Sequence, residues 1–383
     1  MSSAEDQDSD NDHLERYVPE EHLFKISPDE AVERYLTRRS EEIRQSTVSS
    51  YRTVLSFFVT WCQKREYEIL GEIGGKELNE DFYNWRKGEG NDAEGSLSRY
   101  TLRENMKAVR RFIRWCENRE FIKRGTAEKV DIPKIKPDHN GKKTERKEVF
   151  KSVNAELSLQ YADKFKYATT RHVVMTLMAE AGCRPSDIRA LDVCHYERNG
   201  QGGVLKFRDD PQTGVSFGDD PEDGVRLKNG KDGERDVTIT RTCCEILDNY
   251  ISHNRNDVID EYGRKPLLAP GTGRIGLSTI RKYCYELTRP CVTEGICPSG
   301  LSPEECLGYT DRAHNCKENA SPKAVRKGYI THLANQGVDI EVISERCDAS
   351  PSVIKDHYDE RSNEERRKAR LKDLCHIPAY GGE

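Results

Sequence analysis

The sequence predicts a multi-domain chain, with an all-α N-terminal domain followed by a mixed α+β domain. Three observations support this prediction. The 383 residues exceed what one core of ordinary size takes up. The first third of the chain has long stretches of helical apolar periodicity, whereas the rest alternates helical patterns with short β-like runs. Hydrophobic residues make up 35% of the chain, which leaves enough apolar side chains for separate cores.

Changes in composition mark the domain boundaries. Residues 1–30 carry ten acidic residues and two basic ones. Pro133 and Pro137 end the helical pattern of the first domain. We therefore expect an acidic disordered tail at 1–25, a helical domain at 26–131, a basic linker at 132–149, a mixed domain at 150–375 and a tail at 376–383.

Two long amphipathic helices are predicted in the first domain. The segment STVSSYRTVLSFFVTWCQKR repeats apolar residues every three or four positions, and Ser46 or Thr47 can cap its start. The segment TLRENMKAVRRFIRWCENR has the same periodicity. Shorter helices are expected around 28–40 and 78–87.

A basic stripe runs beside the apolar stripe of the second long helix. Four basic residues each come one position after an apolar residue of that stripe: Arg103, Lys107, Arg110 and Arg114. Lys142 and Lys143 add positive charge in the linker. Residues 99–151 carry 17 Lys and Arg against 8 Asp and Glu, which favours binding to a polyanion such as double-stranded DNA. The alternative is an ordinary solvated surface.

The second domain mixes strands and helices. VLKFRDD is predicted to be a strand, and GVRLKNGKDGERDVTIT a β-hairpin with Asn229-Gly230 at its turn. The helical patterns are RHVVMTLMAEAGC, RTCCEILDNYISH, STIRKYCYEL, PKAVRKGYITHLANQG and the segment that begins SPSVIKDHYDERS.

Two motifs give weak indications of a bound cofactor. GTGRIG, residues 271–276, matches a dinucleotide-binding pattern, but no βαβ unit surrounds it, so we interpret it as a loop. A loop-rich insert at 291–316 contains four cysteines, with His314 nearby: Cys291, Cys297, Cys306 and Cys316. These thiols either hold a structural zinc or remain free, because their spacings differ from those of common zinc motifs.

A third group of residues indicates phosphate chemistry. AEAGCRPSDIRALDV places Arg184 just before a helix start, with Ser186 as its expected cap, and this arrangement suits an anion. Lys228, in the predicted hairpin, follows about 40 residues later. Arg326 lies in the first turns of a later helix, and Tyr358 comes 32 residues after it.

These parts, in this order, resemble the tyrosine recombinase (phage integrase) family. The haloarchaeal integrases are most similar, since their final segment is much like VISERCDASPSVIKDHYDERS. The resemblance covers nearly the whole chain. It implies a SAM-like core-binding domain at the N-terminus and a tyrosine-recombinase catalytic domain after it. It also implies that the chain acts as a tetramer on DNA.

The resemblance implies roles for single residues. Tyr358 would attack a DNA phosphodiester and form a 3′-phosphotyrosine, which needs no metal and no ATP. Arg184 and Arg326 would stabilise the charge on the phosphoryl oxygens. Lys228 would protonate the leaving 5′-oxygen, with Lys231 as the alternative if the hairpin register differs.

The sequence departs from the family pattern at two auxiliary positions. Lys323 stands where the family has the histidine of its His-x-x-Arg motif, and Asp348 and Ala349 stand where a histidine or tryptophan is expected. His332 and His357 are the closest histidines in sequence. The departures leave open a catalytically impaired DNA-binding protein of the same fold. A zinc-stabilised interaction module is a more distant alternative.

The sequence also predicts the cellular compartment of the protein. No apolar run approaches the ~20 residues that a membrane-spanning helix needs. The acidic start is unlike a signal or transit peptide, so we expect a cytoplasmic protein. The 13 cysteines are then expected to be reduced or metal-bound rather than paired in disulfides.

Overall fold

The computed structural model describes most of both domains. It covers residues 23–88, 97–135, 150–209, 225–260, 263–302, 304–306, 308 and 312–357. The chain divides into two units, Met1–Arg146 and Lys147–Glu383. Tyr358, Lys142, Lys143 and both predicted terminal tails, apart from residues 23–25, lie outside the described residues.

The described part of the first unit is all helical. Its helices are α1 (Pro28–Ser40), α2 (Gln45–Lys64), α3 (Tyr83–Lys87), α4 (Arg99–Glu117) and α5 (Thr126–Lys129), with a π-helical turn at Glu77–Phe82 ahead of α3. The predicted N-cap of α2 is wrong. Arg44 has the extended backbone of the cap, so Ser46 and Thr47 lie inside the first turn.

An aromatic cluster fills the core of the first unit. The ring of Phe58 lies 5.7 Å from that of Phe82 and 5.6 Å from that of Phe112, both edge-on. Trp61 is fully buried beside them. All three tryptophans of the chain, Trp61, Trp85 and Trp115, belong to this unit.

The second unit packs helices around a small sheet. Its helices are α6 (Ser152–Phe165), α7 (Thr170–Ala181), α8 (Pro185–Ala190), α9 (Arg241–Asn249), α10 (Leu277–Leu287), α11 (Pro290–Thr293), α12 (Pro322–Asn335), α13 (Ile340–Cys347) and α14 (Pro351–His357). The strands are β1 (Tyr196–Asn199), β2 (Gly202–Phe207) and β3 (Arg235–Ile239), antiparallel in the order β1-β2-β3. Strand β2 alternates between half-buried and buried residues, so its buried face packs on the core.

The predicted hairpin around Lys228 is wrong. Strand β3 pairs with β2, and Asn229-Gly230 leads into a 3-10 turn at Gly230–Gly233 instead of a two-residue hairpin turn. The buried carboxylate of Asp209 accepts a hydrogen bond of 2.9 Å from the backbone N–H of Leu227. That N–H is therefore unavailable to a strand ladder, and Lys228 lies in a loop.

Phe150, the first described residue of the second unit, packs against helix α12. The backbone N–H of Phe150 donates to the carbonyl of Ala324 at 3.3 Å. A Cβ at Gly328 would lie only 1.8 Å from the carbonyl oxygen of Phe150, so only glycine fits there. This contact fixes the N-terminal part of α12, which carries Lys323 and Arg326.

No helix in the described ranges is both long enough and apolar enough to cross a membrane.

Candidate active site

A cavity of about 680 Å³ in the second unit is lined by basic side chains from separate segments of the chain. The basic residues are Arg184, Lys228, Arg281, Lys323 and Arg326. The structure thus brings together the four basic residues that the sequence places in an active site. Arg281 and Tyr285, which the sequence did not single out, also line this cavity, and so does Asn229, which the sequence indicated only as a turn residue.

Arg184 is itself the N-cap residue of α8, so the expected cap at Ser186 is wrong. The backbone N–H of Arg184 donates to Asp187 Oδ2 at 3.1 Å, which orients the first turn. Asp187 is fully buried and forms a 2.8 Å ion pair with Arg235. Because this pair is rigidly enclosed, it holds the backbone from which the Arg184 side chain projects.

The two arginines meet at the end of α13. The Arg184 guanidinium pairs with the carboxylate of Asp348 and also donates to the Asp348 carbonyl. Arg326 donates to the same carbonyl at 3.3 Å and to the carbonyl of Gly182 at 2.6 Å. Arg326 is only 7% exposed. The two guanidinium groups therefore converge on one carbonyl oxygen.

Asp348 occupies an unusual backbone position. It ends α13 in the left-handed conformation, with φ of 51°. Its second carboxylate oxygen accepts a 2.8 Å hydrogen bond from the side chain of Asn229, next to Lys228. One acidic residue thus contacts both Arg184 and the Lys228 loop, a link that no local sequence pattern reveals.

The two lysines lie at the rim of the cavity. Lys228 and Lys323 are both exposed, as expected for side chains that reach a bound ligand. Lys231, the alternative to Lys228, lies on the 3-10 turn and is not among the described residues that line the cavity. His332, on α12, is exposed and does not line the described part of the cavity either.

Helix α14 begins at the cavity. Ala349, Ser350 and Val353 contribute to its lining. The described part of α14 ends at His357, immediately before Tyr358 in sequence. Tyr358, the predicted nucleophile, lies outside the described residues.

Two thiols beside the arginines are unsuited to nucleophilic chemistry. Burial raises the pKa of Cys183 to about 12, and Asp187 adds to the shift. Burial also raises the pKa of Cys347, at the end of α13. Both thiols are therefore protonated at neutral pH, since the thiolate is the reactive form.

The basic stripe of α4 divides into two kinds of residue. Arg103 donates to the carbonyl of Pro133 at 2.7 Å, and Arg110 donates to the carbonyl of Val130. Both side chains thus hold the segment that follows α5. Lys107 pairs with Glu104 at 2.8 Å, whereas Arg114 is exposed.

Arg114 borders a second basic surface. It lines a pocket of about 410 Å³ in the first unit together with Arg38, Arg39, Arg111 and Arg119.

Candidate metal ligands occur at two places in the second unit. The four cysteines of the insert are all half-buried. Elsewhere in the described ranges, ligand atoms of Asp192, Cys194 and His195 lie within 4.8 Å of one another. Asp192 is also paired with the Arg274 guanidinium, which opposes a cation there.

Comparison with solved structures identifies the fold. The Tn1549 transposon integrase in complex with transposon right-end DNA matches with a TM-score of 0.61 and 12% identity, over 91% of this chain and 100% of that chain. A lambda integrase dimer bound to a core site matches with a TM-score of 0.56 and 12% identity, over 89% and 97%. The XerH site-specific recombinase, in a post-cleavage complex with a difH substrate, gives 0.56 and 13%, over 92% and 84%.

No protein-family model matches the sequence, and no curated protein matches it. The structural matches show that the chain has the fold of these recombinases and integrases.

Proposed function

We propose that this chain, which has the fold of the tyrosine recombinases, is a site-specific DNA recombinase that cleaves and rejoins DNA through a 3′-phosphotyrosine. One observation carries the proposal. Arg184 and Arg326, from distant parts of the chain, donate to one carbonyl oxygen inside a cavity that Lys228 and Lys323 also line. Such a set of donors suits a phosphodiester, whose charge rises in the transition state.

The reaction follows from the chemistry of these groups. The Tyr358 oxygen attacks phosphorus and loses its proton to solvent, while the bond from phosphorus to the 5′-oxygen breaks. Lys228 gives its proton to that 5′-oxygen, and Arg184 and Arg326 neutralise the phosphoryl oxygens. The phosphotyrosine retains the bond energy, so a 5′-hydroxyl can reverse the step without ATP.

The surrounding assembly is part of the same proposal. The first unit would be the core-binding domain, with Arg114 and the linker lysines Lys142 and Lys143 on the DNA backbone. Strand exchange between two sites involves four cleavages, which suits a homotetramer on DNA in the cytoplasm. The similar structures named above include complexes with DNA, which supports a DNA substrate.

A nicked suicide substrate tests the cleavage step. Because the target sequence is unknown, nicked duplexes with randomised sequence around the nick should be used, so that the library contains sites with a nick near the cleavage position. We expect the full chain to form a covalent adduct that survives denaturation, and Tyr358→Phe to form none. Adduct formation by Tyr358→Phe would refute Tyr358 as the nucleophile.

Lys323 offers a second test with a matched control. Lys323→Ala should lower single-turnover cleavage by about 100-fold, because it removes a donor to the phosphate. Lys327 lies one turn later on α12 and is not among the cavity residues described. Lys327→Ala should therefore cleave at the wild-type rate.

A second candidate function has a specific observation in its favour. The Arg184 guanidinium already forms an ion pair with the Asp348 carboxylate, which suits a DNA-binding protein that no longer cleaves. This candidate predicts salt-sensitive DNA binding by both wild type and Tyr358→Phe, and no adduct with any site in the library. Capture of one adduct on wild type would eliminate it.

A further inference from the structure

The pocket of about 410 Å³ in the first unit, here called the arginine pocket, is strongly basic. Two of its arginines end α1, two lie in the C-terminal half of α4, and one follows α4: Arg38, Arg39, Arg111, Arg114 and Arg119. Glu42 is the single acidic residue among its described lining residues. The pocket therefore carries a net positive charge.

The two arginines of α1 already have acidic partners. Arg38 pairs with Glu41, and Arg39 pairs with Glu42 at 2.5 Å. These four residues lie within one turn of the end of α1, so the charges are compensated locally. The excess positive charge thus comes from the other three arginines.

Those three arginines are held by aromatic side chains instead of carboxylates. Arg111 donates to the Tyr51 hydroxyl at 2.6 Å, and the Arg119 guanidinium lies 4.0 Å from the ring centre of Trp115. Arg114 is exposed, as are the other two. Within the described ranges, none of the three forms an ion pair with a carboxylate. Neighbouring cations without counter-charges attract an anionic partner.

The chain enters the first unit beside this pocket. The backbone N–H of Phe24 donates to the carbonyl of Glu120 at 2.9 Å. Glu120 directly follows Arg119, which lines the pocket. Residues 1–22, here called the acidic segment, are therefore attached to the first unit next to the arginine pocket.

The acidic segment has the opposite charge. It contains eight acidic residues and one arginine. Four of the acids alternate along the sequence, namely Asp6, Asp8, Asp10 and Asp12. Because an extended chain spans up to ~3.6 Å per residue, the residues from Asp12 to Phe24 can cover up to about 40 Å. The carboxylates can thus reach the arginine pocket of their own chain.

We propose that the acidic segment docks in the arginine pocket of its own chain and pairs with Arg111, Arg114 and Arg119. Attachment to the same chain raises the local concentration of carboxylates to roughly the millimolar range, so that individually weak ion pairs act together. Duplex DNA then has to displace the segment before its phosphates reach these arginines. The contact itself is independent of the proposed function, whereas its effect on DNA binding rests on that function.

A carbodiimide crosslink on the full-length chain tests the contact without DNA. Arg114→Lys supplies an amine in the pocket, and Arg99→Lys supplies one about 22 Å away, at the start of the same helix. We expect an amide between position 114 and a carboxylate of residues 1–22, at least about five times more abundant than at position 99. It should disappear in 1 M salt, because exposed ion pairs are screened. Equal yields at the two positions would overturn the proposal.

Mixing isotopically labelled and unlabelled chains before crosslinking shows which chain the acidic segment binds. We expect crosslinks within single chains only. Crosslinks between labelled and unlabelled chains would overturn the assignment to the same chain and would indicate a second copy as the partner.

Neutralising the acidic segment tests the effect on DNA. Replacing the four alternating aspartates by asparagine should raise duplex affinity about tenfold at low salt. The control has the same change in net charge at exposed acids elsewhere in the first unit, each replaced by glutamine: Glu66, Glu68, Glu72 and Glu80. It should raise affinity by less than about twofold. Equal gains would show that only net charge matters, which contradicts docking.

The Arg114→Glu background separates docking from general repulsion of DNA. There the four asparagines should raise affinity by less than about threefold, because the docking site is already weakened. A tenfold gain in both backgrounds would overturn the proposal. If wild type and all variants fail to bind duplex, the proposed function is wrong, and the crosslink alone decides whether the segment docks.

Discussion

The Arg184 guanidinium and Asp348 are joined twice, through the carboxylate and through the backbone carbonyl of Asp348. The two side chains are 18% and 12% exposed. A phosphate that binds Arg184 therefore has to compete with an internal carboxylate or share the guanidinium with it. The Asp348 carboxylate thus offsets one of the positive charges of the cavity.

Asp348→Asn should tighten DNA binding. The amide removes one negative charge from the cavity, and asparagine tolerates the left-handed backbone of this position. We expect about tenfold higher affinity at low salt, equivalent to about 1.4 kcal/mol, measured by fluorescence anisotropy with labelled duplex. Asp339→Asn, at the other end of α13, is the control and should bind as wild type does. Equal affinities for wild type and Asp348→Asn would refute competition by Asp348.

Arg114→Glu should weaken DNA binding without affecting stability, because this side chain is exposed. Arg110→Glu should also destabilise the first unit, by about 1–3 kcal/mol, since Arg110 binds the carbonyl of Val130. Duplex titrations at several salt concentrations and urea unfolding separate the two effects. Arg124→Glu, at another exposed arginine, is the control. If DNA affinity depends on salt concentration equally in Arg114→Glu and Arg124→Glu, that result would argue against a contact specific to α4.

Gly328→Ala should destabilise the second unit by about 2–3 kcal/mol, even though alanine favours helices. The new Cβ would overlap the Phe150 carbonyl oxygen, which lies 1.8 Å away. Gly273→Ala is the control, because no atom lies within 4 Å of a Cβ there. Thermal unfolding of the full chain gives the comparison, and equal stability of the two variants would mean that Phe150 does not lie over α12.

The second unit should lose stability in mild acid because of His172. Its side chain is fully buried, and its Nδ1 accepts a 3.2 Å hydrogen bond from the N–H of Ala168. Burial lowers the pKa of His172, against the opposing effect of Asp163. The unfolded state then binds more protons, so stability is present above about pH 6.5 and is lost as the pH falls through the folded-state pKa.

Each such histidine contributes a slope of at most about 1.4 kcal/mol per pH unit. His172→Asn should reduce the slope, whereas His332→Asn, at an exposed site, should not. Amide hydrogen exchange of α7 between about pH 5 and pH 7.5, corrected for intrinsic rates, measures it. An unchanged slope in His172→Asn would show that this residue is not buried in its neutral form.

The sequence predicts the positions of Arg184 and Arg326 well because each lies near the start of a helix with clear local signals, and both line the cavity. It fails at the local conformation around Lys228, which also lines the cavity but lies in a loop instead of a β-hairpin, next to the contact between Leu227 and the buried carboxylate of Asp209. That contact joins residues 18 positions apart and has no local pattern.

Long-range contacts also explain the residues that the sequence missed. Arg281 and Tyr285 lie one turn apart on α10, and nothing in their own segment shows that α10 borders the cavity. Asp348 is recognisable in sequence only as a departure from a family pattern. Its contact with Arg184 spans 164 positions and depends on the packing of α13.

Because Trp61, Trp85 and Trp115 all belong to the first unit, intrinsic tryptophan fluorescence reports on that unit. With selective tryptophan excitation, the emission of the full-length chain originates from the helical unit alone. Trp115 lies under the guanidinium of Arg119, 4.0 Å from its ring centre, on the surface that also carries Arg114. A decrease in tryptophan emission on addition of duplex would therefore indicate binding at that surface without any label. Binding in the cavity of the second unit would leave this emission unchanged.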